Sequence, residues 1–114
     1  MKVQLQPGCL RLRLGMAEFE ALQGGRAIDL TLRFQAGAAW SIRIEAGTTF
    51  AMHVVDGVVC CRFPSAALDE LASRLPSRQG LACTSVTTGE QITVLLDVDV
   101  HDRAGKAARS STKP

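Results

Sequence analysis

The chain has 114 residues, of which 46% are hydrophobic, and this is enough for one domain with a packed core. No stretch approaches the roughly 20 consecutive apolar residues that a membrane-spanning helix needs. The first residues alternate in polarity and lack the continuous apolar segment of a signal peptide. We therefore expect a cytoplasmic protein that does not associate with a membrane.

The formal net charge of +2 is unevenly distributed. Residues 1–100 contain 9 Lys and Arg against 10 Asp and Glu, a balance of −1, whereas residues 101–114 contain 4 against 1, a balance of +3. We expect a single duplicated domain over 1–100 and a flexible basic tail over 101–114. The body of the domain has no positive field that would attract nucleic acid, so a nucleic-acid arm is the less favoured role for the tail.

The first half of the chain alternates between apolar and polar residues in four segments, as strands with one apolar face do. These segments are 3–6, 10–14, 28–34 and 40–45. Between the second and the third, residues 16–23 have the spacing of a short helix, which Gly24-Gly25 ends.

The second half repeats this plan. Its predicted strands are 50–55, 58–63, 81–87 and 91–99. The Asp56-Gly57 pair joins the first two and is one of the strongest short signals for a hairpin turn. A helix is predicted from Ser65 to Leu75, and Pro76 closes it.

The two halves align as one repeated unit. Residues 3–22 match 52–71 at an offset of 49, and residues 26–46 match 78–98 at an offset of 52. Arg13 thereby falls on Arg62, Glu45 on Asp97 and Phe34 on Val86. Both copies of a repeat must turn the same face towards a shared core.

The duplication therefore predicts an α+β fold built from two ββαββ units, with halves 1–46 and 50–99. Its eight mainly antiparallel strands would form a curved sheet or a barrel, with two short helices on the apolar face.

Five arginines lie in the polar phases of the predicted strands and are candidate ligands for a small anion. They are Arg11, Arg13, Arg33, Arg43 and Arg62. Guanidinium groups and helix N-termini both favour phosphate and carboxylate, and repeat symmetry puts Arg13 and Arg62 at equivalent positions before the two helices. The alternative is a solvated polar face. Glu45 and Asp97 are candidates for an acid–base or metal pair, or for ion-pair partners of neighbouring arginines.

No pattern in the sequence predicts a catalytic residue, a metal site or a cofactor. Cys60 and Cys61 are adjacent, but no two cysteines have Cys-x-x-Cys spacing, so we expect reduced thiols, with a redox role for the adjacent pair as the alternative. His53 and His101 have no second ligand at a metal-binding spacing. Trp40 and the phenylalanines occupy core phases, which argues against an aromatic binding platform.

The start of the chain resembles a small bacterial family of unknown function. The residues that carry this resemblance are Met1-Lys2, Gly8, the Leu-Arg-Leu-Arg-Leu segment 10–14, Glu18, Leu22 and Gly24-Gly25-Arg26. It covers the first quarter most strongly. Members usually have Thr before the first helix, where this chain has Gly15. The resemblance implies a bacterial single-domain fold and brings no catalytic residue with it.

The duplicated topology also looks like that of the triphosphate-tunnel enzymes, in which eight strands close around a basic interior. If the strands of this chain closed in the same way, the five arginines would line a phosphate-binding interior. Those enzymes hold a divalent metal with alternating glutamates and use a lysine on the first strand. Here that strand reads Val3-Gln4-Leu5-Gln6, which argues against the same activity.

The sequence thus predicts a non-enzymatic domain that binds a partner or associates with itself, with a small anion as the candidate ligand. Unpaired strand edges would favour a homodimer. The alternative is a barrel of the triphosphate-tunnel type that binds or hydrolyses a phosphate compound. The two differ in whether the five arginines face one another across an enclosed space.

Overall fold

The computed structural model of the chain describes residues 1–87 and 89–101. Its first ββαββ unit consists of β1 (Lys2–Gln6), β2 (Cys9–Gly15), α1 (Met16–Gln23), β3 (Ile28–Gln35) and β4 (Ala38–Gly47). The second consists of β5 (Ala51–Val55), β6 (Val58–Pro64), α2 (Ser65–Ser73), β7 (Leu81–Thr87) and β8 (Glu90–Asp99). The predicted α+β class and the duplicated unit are confirmed. The predicted basic tail lies outside the described residues from residue 102 onwards.

The strands form two separate four-stranded sheets. Sheet A has the order β1-β2-β8-β7 and sheet B the order β3-β4-β6-β5. In each sheet the central pair, β2 with β8 or β4 with β6, is parallel, while the flanking pairs are antiparallel. Neither sheet closes, so the barrel alternative is wrong. Each unit contributes one hairpin to each sheet.

Each helix crosses from one sheet to the other. Helix α1 leads from β2 in sheet A to β3 in sheet B, and α2 leads from β6 in sheet B to β7 in sheet A. The parallel pairs therefore join strands from different units. A parallel pair needs a connection that returns the chain to the same end of the sheet. Residues 48–57, which include β5, supply it between β4 and β6, and residues 16–89 supply it between β2 and β8. The two units are consequently interlocked.

The core lies between the two sheets and includes one face of each helix. Both helices contact strands of both sheets. The fully or almost fully buried side chains are Leu10, Leu12, Leu14, Val94, Leu96 and Val98 from sheet A, Ile42, Ile44, Cys61 and Phe63 from sheet B, and Phe19, Leu22, Leu68 and Leu71 from the helices. Burial of each large apolar side chain contributes about 1.5–3 kcal/mol, so this cluster provides the main stabilisation of the fold.

The inner faces of the sheets are exposed near the hairpin turns. Leu5 and Val54, in the same strand phase as the core residues, are 67% and 65% exposed. Between the edge strands β1 and β3 there is a cleft of about 350 Å³, lined by Val3, Leu5, Leu30, Thr31, Leu32 and Trp40. Apolar alternation along a strand predicted burial for these positions, but the helices cover only part of each inner face.

A β-bulge distinguishes β3 from β7. Arg33 pairs with Ala39 and Gln35 with Ala38, which leaves Phe34 without a partner in the register. Such an extra residue is the defining feature of a bulge. Phe34 is 66% exposed, so its predicted core position is wrong.

The bulge also corrects the alignment of the two units. Leu30 pairs with Ile42, and Cys83 pairs with Val94, the equivalent of Ile42. A constant offset of 52 would match Leu30 with Ala82. The pairing shows that Leu30 instead corresponds to Cys83. The match of Phe34 with Val86 is wrong for the same reason.

Two leucines of the first hairpin provide a test of where the core ends. Leu12 has no exposed surface, so Leu12→Ala should lower the free energy of unfolding by about 2–5 kcal/mol. Leu5 is 67% exposed, and Leu5→Ala should cost no more than about 0.5 kcal/mol. Urea unfolding measures both. Equal losses would contradict the exposed inner face.

Candidate functional site

The five candidate arginines are divided between two surfaces. Arg11 and Arg13 lie on the outer face of sheet A, whereas Arg33, Arg43 and Arg62 lie on the outer face of sheet B. The inner faces of both sheets contact the shared core, so the outer faces point away from each other. The structure therefore brings Arg11 and Arg13 together but not with the other three.

Two of the arginines on sheet B form ion pairs. Arg43 donates from Nε to Asp29 Oδ1 at 2.7 Å and from Nη2 to Oδ2 at 3.3 Å. This hydrogen-bonded pairing with Asp29 raises the pKa of Arg43. Arg62 donates from Nε and Nη2 to Glu45 Oε2, at 3.2 and 2.9 Å. Of the roles considered for Glu45, the structure thus shows that of ion-pair partner.

The equivalent position in sheet A is paired differently. Asp97 lies opposite Arg13 in the register, as Glu45 lies opposite Arg62. Yet Asp97 Oδ2 accepts a hydrogen bond from Arg11 Nε, at 2.9 Å. Arg13 consequently makes no ion pair with a carboxylate in the described part of the chain.

This difference follows from the residues that replace one another in the repeat. Arg11 corresponds to Cys60 in the second unit. A thiol is a weak, uncharged donor, so Cys60 leaves Glu45 to the guanidinium of Arg62, and the other nearby guanidinium, Arg43, is held by Asp29. In sheet A, both Arg11 and Arg13 lie next to the carboxylate of Asp97. Arg11 binds it, so Arg13 has no carboxylate partner there.

An open cleft of about 380 Å³ lies next to Arg13. Its lining residues are Lys2, Val3, Gln4, Arg11, Arg13 and Asp97, and we call it the Arg13 cleft. Lys2 is the antiparallel partner of Arg13 in β1. Three cationic side chains face one carboxylate there, a local balance of +2. Arg13 also borders a neighbouring cavity of about 220 Å³, whose lining includes Arg78, Asp99 and His101.

Asp97 lies close to the backbone at Gly80, immediately before β7. It is only 7% exposed, and its Oδ1 has no hydrogen-bond partner among the described residues. A Cβ at Gly80, next to Leu81 at the start of β7, would lie 2.5 Å from this oxygen and would also meet the carbonyl oxygen of Leu96. The backbone of Gly80 is in turn bound by Ser77 and Arg74. The space between Gly80 and the carboxylate that binds Arg11 is thus too small for a side chain at position 80.

Sequence reasoning did not select Lys2 or Gly80. Lys2 could have been found, because strict alternation along β1 puts it in the same polar phase as Gln4. The role of Gly80 depends on the register between β7 and β8, which alternation along each strand does not determine.

Burial raises the pKa of three thiols, those of Cys60, Cys61 and Cys83. Burial raises the pKa of Cys61 to about 12, with a smaller contribution from Cys60. Burial also raises the pKa of Cys60, with the charge of Glu45 as the next cause, and that of Cys83. Nucleophilic cysteines have the opposite shift. All four cysteines are free, and no group of three metal-ligating side chains occurs within residues 1–87 and 89–101.

Comparisons of this chain with protein-family models, with curated proteins and with solved structures give no match. The resemblance to a small bacterial family therefore remains a prediction, whereas the two open sheets contradict the barrel likeness to the triphosphate-tunnel enzymes. No helix in the described residues is long and apolar enough to cross a bilayer.

Substitution of Gly80 tests its close contact with Asp97. Gly80→Ala should destabilise the protein by more than about 2 kcal/mol, because the added Cβ meets backbone and carboxylate atoms as well as a positive φ of 66°. Gly37→Ala is the matched control, since Gly37 has a φ of 79° but nothing within 4 Å. Thermal unfolding compares the two. If both variants lost a similar amount of stability, the destabilisation would come from the positive φ alone and not from the contact with Asp97.

The raised thiol pKa values predict that stability falls at alkaline pH. Below the ordinary thiol pKa of 9.0 both states are protonated, and above it the unfolded state releases protons that folded Cys61 retains up to about 12. The free energy of unfolding should therefore fall as pH rises from 9 towards 12, with a limiting slope near 1.4 kcal/mol per pH unit for this thiol. Urea unfolding at several pH values measures this slope, and Cys61→Ala should reduce it. An unchanged slope in that variant would contradict the assignment.

Proposed function

We propose that the protein is a non-enzymatic domain that binds a small anion, a phosphate or carboxylate compound, in the Arg13 cleft. The observation that carries this proposal is the difference between two repeat-equivalent arginines. Arg62 is neutralised by the carboxylate opposite it, whereas the carboxylate opposite Arg13 is bound to Arg11. Arg13 therefore keeps its hydrogen-bond donors for a ligand.

The surroundings of Arg13 support an anionic ligand. Lys2 adds a second cation across the strand pair, and Arg11 is oriented by its bond to Asp97. A planar guanidinium can donate two parallel hydrogen bonds to phosphate or carboxylate oxygens, and an ammonium adds a compact charge. Because the cleft is open, it suits the charged end of a ligand whose remaining part stays in solvent.

The same geometry favours binding over catalysis. The one carboxylate of the cleft, Asp97, is buried and already engaged by Arg11, so it is poorly placed to accept a proton from a substrate. The triphosphate-tunnel alternative requires a closed basic interior, and the two open sheets do not provide one. It also requires carboxylates on the first strand, which β1 lacks.

Calorimetric titration with inorganic phosphate, pyrophosphate and malonate tests the proposal. Arg13→Ala should weaken binding of the preferred anion by about tenfold or more, since a hydrogen bond to a charged group contributes about 1.5–3 kcal/mol. Arg62→Ala is the matched control, because it removes the repeat-equivalent arginine from the other sheet. Its affinity should equal that of the unmodified protein.

Three results would count against the proposal. Absence of binding across the panel would remove the anion site, and equal weakening in both variants would show a nonspecific effect of charge. If a colorimetric assay detected phosphate released from pyrophosphate, this would contradict a non-enzymatic role. Chemical-shift changes centred on Lys2 and Arg13 during a phosphate titration would support the assigned location.

A further inference from the structure

Strand β3 is an unpaired edge with exposed side chains on both faces. It lies at one end of sheet B. On its inner face Leu30, Leu32 and Phe34 are 37%, 55% and 66% exposed. On its outer face Asp29, Thr31 and Arg33 are exposed. An edge of this kind presents free backbone groups that can pair with another strand.

The hydrogen bonds of β4 show which backbone groups of β3 are free. The Ser41 N–H donates to the Gly57 carbonyl at 3.4 Å, on the side of β6 and away from β3. In an antiparallel pair the N–H and C=O of one residue point to the same side, so Ser41 and its partner Thr31 are not bonded to each other through the backbone. The backbone groups of Thr31 therefore point outwards. The same holds for Asp29 and Arg33, two residues away on either side.

The residues of this edge complement themselves. When two copies of β3 are paired antiparallel about Thr31, Asp29 of each copy lies opposite Arg33 of the other. On the inner face, Leu30 lies opposite Leu32 of the other copy. Opposite charges and apolar side chains in such cross-strand positions stabilise a strand pair. Both contacts occur twice because the pairing is symmetric.

We propose that a second copy of this chain pairs with β3 in this register, with a twofold axis at Thr31. The two copies of sheet B then form one continuous eight-stranded sheet. The backbone groups of Asp29, Thr31 and Arg33 supply the new ladder. The leucines of the two copies lie side by side next to the apolar cleft between β1 and β3.

Three observations favour a second copy over another occupant. Among the four edge strands of the described structure, β3 alone carries an acidic and a basic side chain on one face, placed symmetrically about its centre. Arg33 has no carboxylate partner among the described residues, whereas Asp29 accepts hydrogen bonds from Arg43 and would share its carboxylate between Arg43 and the partner's Arg33. Residues 102–114 contain no apolar side chain larger than alanine or proline and are poorly suited to the cleft.

The bulge at Phe34 limits this edge. Regular pairing along β3 stops after Arg33, because the register shifts there. Bulges are a common means of ending strand pairing at a sheet edge. The segment from Asp29 to Arg33 is therefore a short site of defined length, suited to one partner strand in one register.

Charge exchange at this edge tests the proposal. In an Arg33→Asp homodimer, two aspartates would face each other, and in an Asp29→Lys homodimer a lysine would face Arg33. Each variant should dimerise at least about tenfold more weakly than the unmodified chain, because like charges across an interface repel. An equimolar mixture of the two variants places opposite charges at both positions, so it should recover the dimer.

Sedimentation equilibrium distinguishes the 12.2 kDa monomer from the dimer. Arg26→Asp, an equal change of charge before β3, is the control and should dimerise as the unmodified chain does. Circular dichroism checks that each variant is folded. The proposal is overturned if the unmodified chain is a monomer, if Arg33→Asp dimerises normally, or if the mixture stays monomeric.

A cysteine on the proposed axis provides an independent test that does not depend on charge. Residues in a hydrogen-bonded antiparallel pair have Cα atoms about 5.5 Å apart, which is within disulfide reach. Thr31→Cys should therefore cross-link two copies under mild oxidation. Thr84→Cys, exposed on the edge strand β7, should not. Equal cross-linking of the two variants, or none in Thr31→Cys, would overturn the register.

Discussion

The parallel pairing of strands from different halves is the constraint on which the rest of the structure depends. Strand β2 can lie beside β8, and β4 beside β6, only if each unit divides its hairpins between the sheets. The helices make these crossings and contact both sheets. Their buried faces then close one shared core with the sheets, and neither unit has a complete core by itself. The duplication therefore produces one interlocked domain.

The two units are less alike on the outer faces of the sheets, because core packing does not restrict which side chains stand there. Position 11 in the first unit is an arginine and its equivalent is Cys60, whereas position 43 is an arginine and its equivalent is Leu95. These two exchanges are enough to change which guanidinium each central carboxylate binds. Arg62 is neutralised, and Arg13 is left beside Lys2 in an open cleft.

Apolar surface is also distributed unequally between the units. Where β3 carries Leu30 and Leu32 next to its free edge, the equivalent positions of β7 are Cys83 and Ser85. Large exposed apolar side chains beside an unpaired edge are a liability for a soluble chain unless a partner covers them. The Arg13 cleft lies on the outer face of sheet A and the β3 edge belongs to sheet B. The two proposed contacts therefore do not compete for the same surface.

The order of strands and helices, the start of each helix and the duplication were all accessible from the sequence, because alternation, helical spacing and turn residues are local properties. The inward phase of Leu12 and the outward phase of Arg13 followed from the same alternation. The bulge at Phe34 was not accessible, since one extra residue in a strand leaves the apolar pattern almost unchanged. It shifts the register of β3 against β4, so a constant offset between the two units misplaces most of β3 by one residue.

By itself, the sequence determined the local elements and the repeated unit, since these depend on neighbouring residues. Only the tertiary structure decided that the strands form two open sheets, that Asp97 binds Arg11 instead of Arg13, and that Leu5 and Leu32 remain exposed. Each of these outcomes depends on which of several possible partners is closest in space. Residues far apart in the chain compete for the same partner, and local patterns carry no information about that competition.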